Sequence, residues 1–142
     1  MYQTISSWFL AASMFMFGVL KFINPFKAWY AVQITNSGLG NMAYAMGILG
    51  ETATGILLLL CLLYKRRLQT KTFQLLTTFA YSSIVVMMVT GVYVHLHPAV
   101  PAAVLPLKIK PPYIPVFFFV LACSNLVVTV LGQRKAKQTS VG

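Results

Sequence analysis

The chain has no aspartate and only one acidic residue, Glu51, in 142 residues. Lys and Arg number eleven and the formal net charge is +10, yet charged residues make up only 8% of the chain. A soluble domain carries roughly 25% charged residues, so this composition excludes an ordinary water-facing surface. No nucleophile–base–acid set appears, and with a single acidic residue a pair of carboxylates for acid/base work is excluded. The two cysteines, Cys61 and Cys123, are too few for a disulfide framework. Both lie in apolar runs, where a thiol behaves as a small apolar group. There is no phosphate loop, zinc spacing or haem-attachment motif. Residues Met1 to Ser7 hold no Lys or Arg. The basic region of a cleaved leader is thus missing, and the first apolar run reads as a retained helix.

What the chain has in quantity is apolar residues, 58% of the total. A bilayer core about 30 Å thick takes about 20 apolar residues in helical form. Four runs meet that length, at about 5–24, 42–64, 74–96 and 114–132. In lipid the backbone must satisfy its own hydrogen bonds, and barrel-type alternation is absent, so each run is predicted to be a helix. Stop signals flank them: Asn24-Pro25, Lys65-Arg66-Arg67 and His97-Pro98 at three ends, and Pro111, Pro112 and Pro115 at the start of the fourth. The expected fold is all-α, an integral membrane antiparallel four-helix bundle. Residues 1–132 form its one domain, and 133–142 a polar, frayed cytoplasmic tail.

Basic residues set the expected orientation. Lys65, Arg66, Arg67, Lys71, Arg134, Lys135 and Lys137 fall on the side of the termini, and Lys21, Lys27, Lys108 and Lys110 on the other. Positive residues favour the cytoplasmic side, so both termini are expected inside, in a bacterial cytoplasmic membrane. Such clustering between apolar runs argues against a nucleic-acid partner. The partners expected are the lipid bilayer and either a larger membrane protein or further copies of the chain. On the opposite side, Phe26, Trp29 and Tyr30 suggest a short interfacial helix between Pro25 and Asn41. The six prolines from Pro98 to Pro115 suggest an extended cap over that end of the bundle.

Lys21 and Glu51 are the candidate site. Charges within a membrane span are costly and face the bundle interior, where they find partners. Side chains lean toward their own helix N-terminus, so Lys21 near the end of the first helix and Glu51 within the second converge. Helical stripes support facing interiors: Ser7, Ala11, Met14 and Gly18 in the first helix, Tyr44, Gly47, Glu51, Thr54 and Gly55 in the second, and Ala122, Asn125, Thr129 and Gly132 in the fourth. In the third, Ser83, Thr90 and His97 share a face, with Tyr93 and His95 nearby. Small and polar residues of this kind let membrane helices approach and bond. A buried ion pair or ligand pocket is therefore expected from Lys21, Glu51, Tyr44, Tyr93, His95, His97 and Asn125. The pair either fixes helix register or relays protons or binds a ligand. His95 and His97, one residue apart, do not share a helix face, so no metal site is expected.

Phe15-Met16-Phe17-Gly18-Val19-Leu20-Lys21-Phe22 with Asn24-Pro25, then Gly47-Ile48-Leu49-Gly50-Glu51-Thr52-Ala53-Thr54-Gly55, then Val94-His95-Leu96, resemble in order and spacing the DoxX-like family of small four-helix membrane proteins. The resemblance covers the first three helices. The proline-rich loop after His97 departs from it. Membership would imply an accessory or assembly subunit for a larger membrane protein or, alternatively, a subunit of a quinone-linked oxidoreductase; quinone is the one cofactor so implied. A small proton-coupled exporter ranks third, because the small multidrug exporters carry their glutamate in the first helix. Whether the chain is itself an enzyme stays open at this point.

Overall fold

A computed structural model describes residues 1–139. The described chain is helical throughout: α1 (Tyr2–Leu20), α2 (Phe26–Asn36), α3 (Gly40–Leu63), α4 (Thr70–Leu96) and α5 (Tyr113–Thr139), with single 3-10 turns at Ala102–Val104 and Pro106–Lys108. Four helices are long and apolar enough to cross a membrane: α1, α3, α4 and the stretch Tyr113–Arg134 of α5. Around the bundle α1 packs on α3, α3 on α4, α4 on α5, and α5 closes on α1.

The core between them is built by Leu10, Ala11 and Met14 of α1, Leu58 of α3, Ala80, Tyr81, Ile84 and Met88 of α4, and Phe118 and Ala122 of α5. The outer faces are as apolar as the core. Leu49, Leu60, Leu75, Phe79, Val86 and Val120 are all exposed. A soluble monomer rarely shows contiguous apolar surface of this kind, whereas lipid is its natural solvent.

The four long helices lie where the apolar runs predict, with shifted ends. α1 starts at Tyr2, before the predicted Ile5, because polar residues near its start find partners on α5. Tyr2 Oη donates to Ser124 Oγ at 3.1 Å, and Gln3 Nε2 to Thr129 Oγ1 at 2.8 Å. It stops at Leu20 instead of Asn24. The amides of Lys21, Phe22 and Ile23 bond three residues back, tightening the chain into a turn. α5 continues past Gly132 through Gln133 and Arg134 to Thr139, so the tail predicted for 133–142 is helical as far as it is described; residues 140–142 lie outside the described residues. A helix needs lipid to require apolarity, not apolarity to continue, and Gln133 Nε2 is held by Thr78 Oγ1 at 3.2 Å.

At the end of the bundle away from the N-terminus, α3 runs well past the end of α1. Helix α2 folds into that step, placing Tyr30 and Ile34 against Ile48. The connection to α3 turns through Gly38 and Gly40, both with φ above +70°, a conformation glycine adopts without strain. The proline-rich loop covers this end as expected, but it is wound into two 3-10 turns instead of running extended. Burial of its side chains explains the difference: Val100 and Leu105 are fully buried, with Val94. Polar ties complete the cap. Asn36 Nδ2 donates to Ala99 O at 3.1 Å, Gln33 Nε2 to Val104 O, and Lys110 Nζ to the carbonyls of His97 and Val100.

Candidate functional site

Helix α1 ends one residue before Lys21, which is its C-cap. Glu51 lies eleven residues into α3, about 16 Å along it at 1.5 Å per residue. The overhang of α3 thus brings a mid-helix carboxylate level with the end of α1. Lys21 Nζ stands 2.6 Å from Glu51 Oε1. Both side chains are largely shielded, at 16% and 11% exposure. Close helix contact makes this possible. Gly18 lies against the backbone of Thr52, and Gly55 against that of Phe15.

Helix α2 closes the site from above. The Lys21 ammonium is 4.0 Å from the centroid of the Tyr30 ring, so the cation is held between a carboxylate and an aromatic face. Tyr30 in turn stacks on Tyr44, with ring centroids 5.2 Å apart. The Tyr30 hydroxyl lies over Gly47, where any Cβ would overlap it, and donates to Ala43 O at 3.3 Å. Burial first, and then the charge of Glu51, push the Tyr30 phenol well above its ordinary pKa of 10, so it stays a neutral donor. Glu51 Oε2 is buried without a hydrogen-bond partner. Tyr30 is the residue that sequence reasoning missed as part of the site, grouping it with Phe26 and Trp29 as an outer-loop aromatic. The signal for its true position is the glycine at 47, one turn before the only carboxylate, which leaves room for a ring from another element.

The other predicted site residues do not join this group. His95 and His97 lie under the cap at the end of α4, each with a buried, unpartnered Nδ1. Tyr93 packs on His97 at 5.6 Å between ring centroids, and its hydroxyl donates to Ser37 O at 3.1 Å. No hydrogen bond among the described residues links His95, His97 or Tyr93 to the ion pair. The polar residues thus form one group on α1, α2 and α3 and another at the end of α4 under the cap.

Asn125 lies apart from both groups, between α1 and α5. It is fully buried, but some 18 Å along α5 from the cap end by helical rise. There it accepts from Ser6 Oγ at 2.8 Å and donates to Leu121 O at 3.0 Å. It is an interhelical bonder between α1 and α5. Ser83 and Thr90 also differ from expectation, since their hydroxyls turn back to Phe79 O and Val86 O of their own helix. Replacing Asn125 by Val removes the bond between α1 and α5, leaving the Ser6 hydroxyl only Gln3 O at 3.2 Å, and is expected to cost about 1 kcal/mol, the usual size of such bonds between membrane helices. Thermal unfolding in detergent measures it.

Two cavities stand out. One is an apolar groove of about 350 Å3 on the α1/α5 flank, between Ile5, Phe9, Phe117 and Leu121. The other, about 30 Å3, is at the N-terminal end of the bundle. Neither is lined by Lys21 or Glu51. Among the described residues, no group of three or more His, Cys, Asp or Glu is placed to hold a metal ion. Compared with family models, curated proteins and solved structures, the chain matches none.

Proposed function

We infer that this chain is a DoxX-like, multi-pass membrane protein, an antiparallel four-helix bundle with both termini on the cytoplasmic side of a bacterial cytoplasmic membrane. It serves as an accessory or assembly subunit of a larger membrane protein. The observation that carries this reading is the closed state of its one acidic side chain. Glu51 is clamped by Lys21 beneath Tyr30 and Tyr44, and neither cavity described above reaches it. Such a pair fixes how α1 sits on α3. The apolar exterior then remains for lipid and for a partner's helices.

A second reading, a quinone-linked oxidoreductase subunit, draws on the unpartnered Nδ1 atoms of His95 and His97 under the cap, which suit the carbonyl oxygens of a quinone when they carry hydrogen. One preparation separates the two. Tagged protein extracted in mild detergent is expected to bring down the same larger membrane protein reproducibly, and deletion of the chain to lower that protein's level in the membrane. A companion-free monomer whose deletion leaves membrane proteins unchanged would overturn the assembly role. Retained quinone, or stabilisation by added quinone, would favour the second reading.

A further inference from the structure

The loop joining α3 to α4 carries Lys65, Arg66 and Arg67, and Lys71 follows in the first turn of α4. Glu51 is the only acidic side chain in the sequence, and Lys21 holds it at the other end of the bundle. The four cations therefore have no acidic side chain of their own chain to pair with.

Beside them lies the 30 Å3 cavity, walled by Gln3, Ser7, Lys65, Phe73, Thr77 and Tyr81. Its inner wall is polar and fixed. Ser7 Oγ is 2.5 Å from Gln3 O and donates to it, so in the 2.6 Å contact between Ser7 and Tyr81 it is the buried tyrosine that donates. Thr77 donates to Phe73 O at 2.8 Å. These hydroxyl hydrogens are thus engaged within the protein. The Gln3 amide gives one hydrogen to Thr129 and keeps a second. The Lys65 ammonium, 5.6 Å from the centroid of the Phe73 ring, forms no salt bridge among the described residues. Free donors without a matching acceptor call for an anionic oxygen. The space holds one water or one such oxygen, since about 10–15 Å3 suffices for a water-sized group, and it does not hold a whole headgroup. Leu63 and Tyr64, directly before Lys65, and Leu75, between Phe73 and Thr77, are exposed. An acyl chain fits against those residues, and a free anion has no use for them.

We propose that this cavity is a binding site for the phosphate of an anionic glycerophospholipid, with one phosphate oxygen directed at Lys65 and Gln3 and the acyl chains along α3 and α4. The site stands apart from the assembly role and shares with it only the membrane placement.

The test uses the full-length protein in nanodiscs of phosphatidylcholine alone or mixed with phosphatidylglycerol. Lipid retained on the released protein is read by native mass spectrometry. Wild type is expected to keep phosphatidylglycerol in preference to phosphatidylcholine. Lys65→Gln is expected to lose that preference about fivefold, the effect of one basic residue near a lipid surface. Arg134→Gln, a change of equal charge on α5 away from the cavity, is expected to leave it. Lys65 is exposed, so the variant should fold, and unchanged elution as a single species checks this. Equal loss in both variants would mean diffuse attraction and overturn the site. So would the absence of any preference in wild type. Displacement of the retained lipid by inorganic phosphate at millimolar concentration would also overturn it, by making the ligand a free anion.

Discussion

Replacing Lys21 by Met is expected to destabilise the bundle by about 3 kcal/mol, the scale for removing one partner of a buried pair. The variant leaves the Glu51 carboxylate with neither oxygen partnered, in a place where water does not reach Oε2. Glu51→Gln should cost less, about 1.5 kcal/mol, because a stranded ammonium keeps the Tyr30 ring 4.0 Å from it. The double variant should be more stable than Lys21→Met alone, since both charges are gone and only packing is lost. A coupling energy above about 1 kcal/mol is expected from the cycle, measured by thermal or denaturant unfolding in detergent. If the two single effects simply add, the pair does not hold α1 to α3, and the closed-clamp argument for an assembly role loses its support. If the double variant folds as expected yet no longer brings down its companion, the pair serves the interface as well as the fold.

How far the sequence reveals this site depends on what kind of signal each residue leaves. Four apolar runs are legible because lipid imposes length and composition on any span. The contact between Lys21 and Glu51 is legible because a lone acid in an apolar helix has few solutions, and the chain contains only one acid. Tyr30 is not legible in the same way. An aromatic next to Trp29 and Phe26 reads as interfacial, and only the overhang of α3 past α1, set by tertiary packing, turns it onto the cation. Nor does composition show that Asn125 lies at the α1–α5 seam and His95 at the cap end of α4. Both are polar residues in apolar helices, and depth along a helix becomes meaningful only once its ends are known. The real start of α1 at Tyr2 was hidden because Gln3 and Tyr2 look like solvent-facing residues until Thr129 and Ser124 are found opposite them. The cavity residues Gln3, Lys65 and Tyr81 come from α1, the α3–α4 loop and α4, and no local pattern groups them.

The glycines of the α1–α3 seam carry the second large effect. A Cβ added at Gly55 would lie 2.6 Å from the Cα of Phe15. At Gly18 it would lie 2.7 Å from the backbone nitrogen of Thr52 and 2.9 Å from its Cα. Non-bonded carbons prefer about 3.5–4.0 Å, and backbone cannot rotate away as a side chain does. The helices must therefore move apart by most of an ångström. Between membrane helices this matters more than in water, because close packing, not exclusion of solvent, drives their association. Gly55→Ala is expected to cost about 2–3 kcal/mol, the upper range for overpacking, and Gly18→Ala a similar amount. Gly132→Ala is the control. Nothing lies within 4 Å of its added Cβ, and in a helix the change should stabilise by about 0.5–1 kcal/mol. Separation of α1 from α3 also carries Lys21 away from Glu51, so the coupling measured for that pair should fall when the cycle is repeated with Ala at position 55. Unfolding curves for the three glycine variants decide the matter. Should Gly55→Ala prove as mild as Gly132→Ala, the seam is loose, and a clamp that depends on its tightness cannot operate.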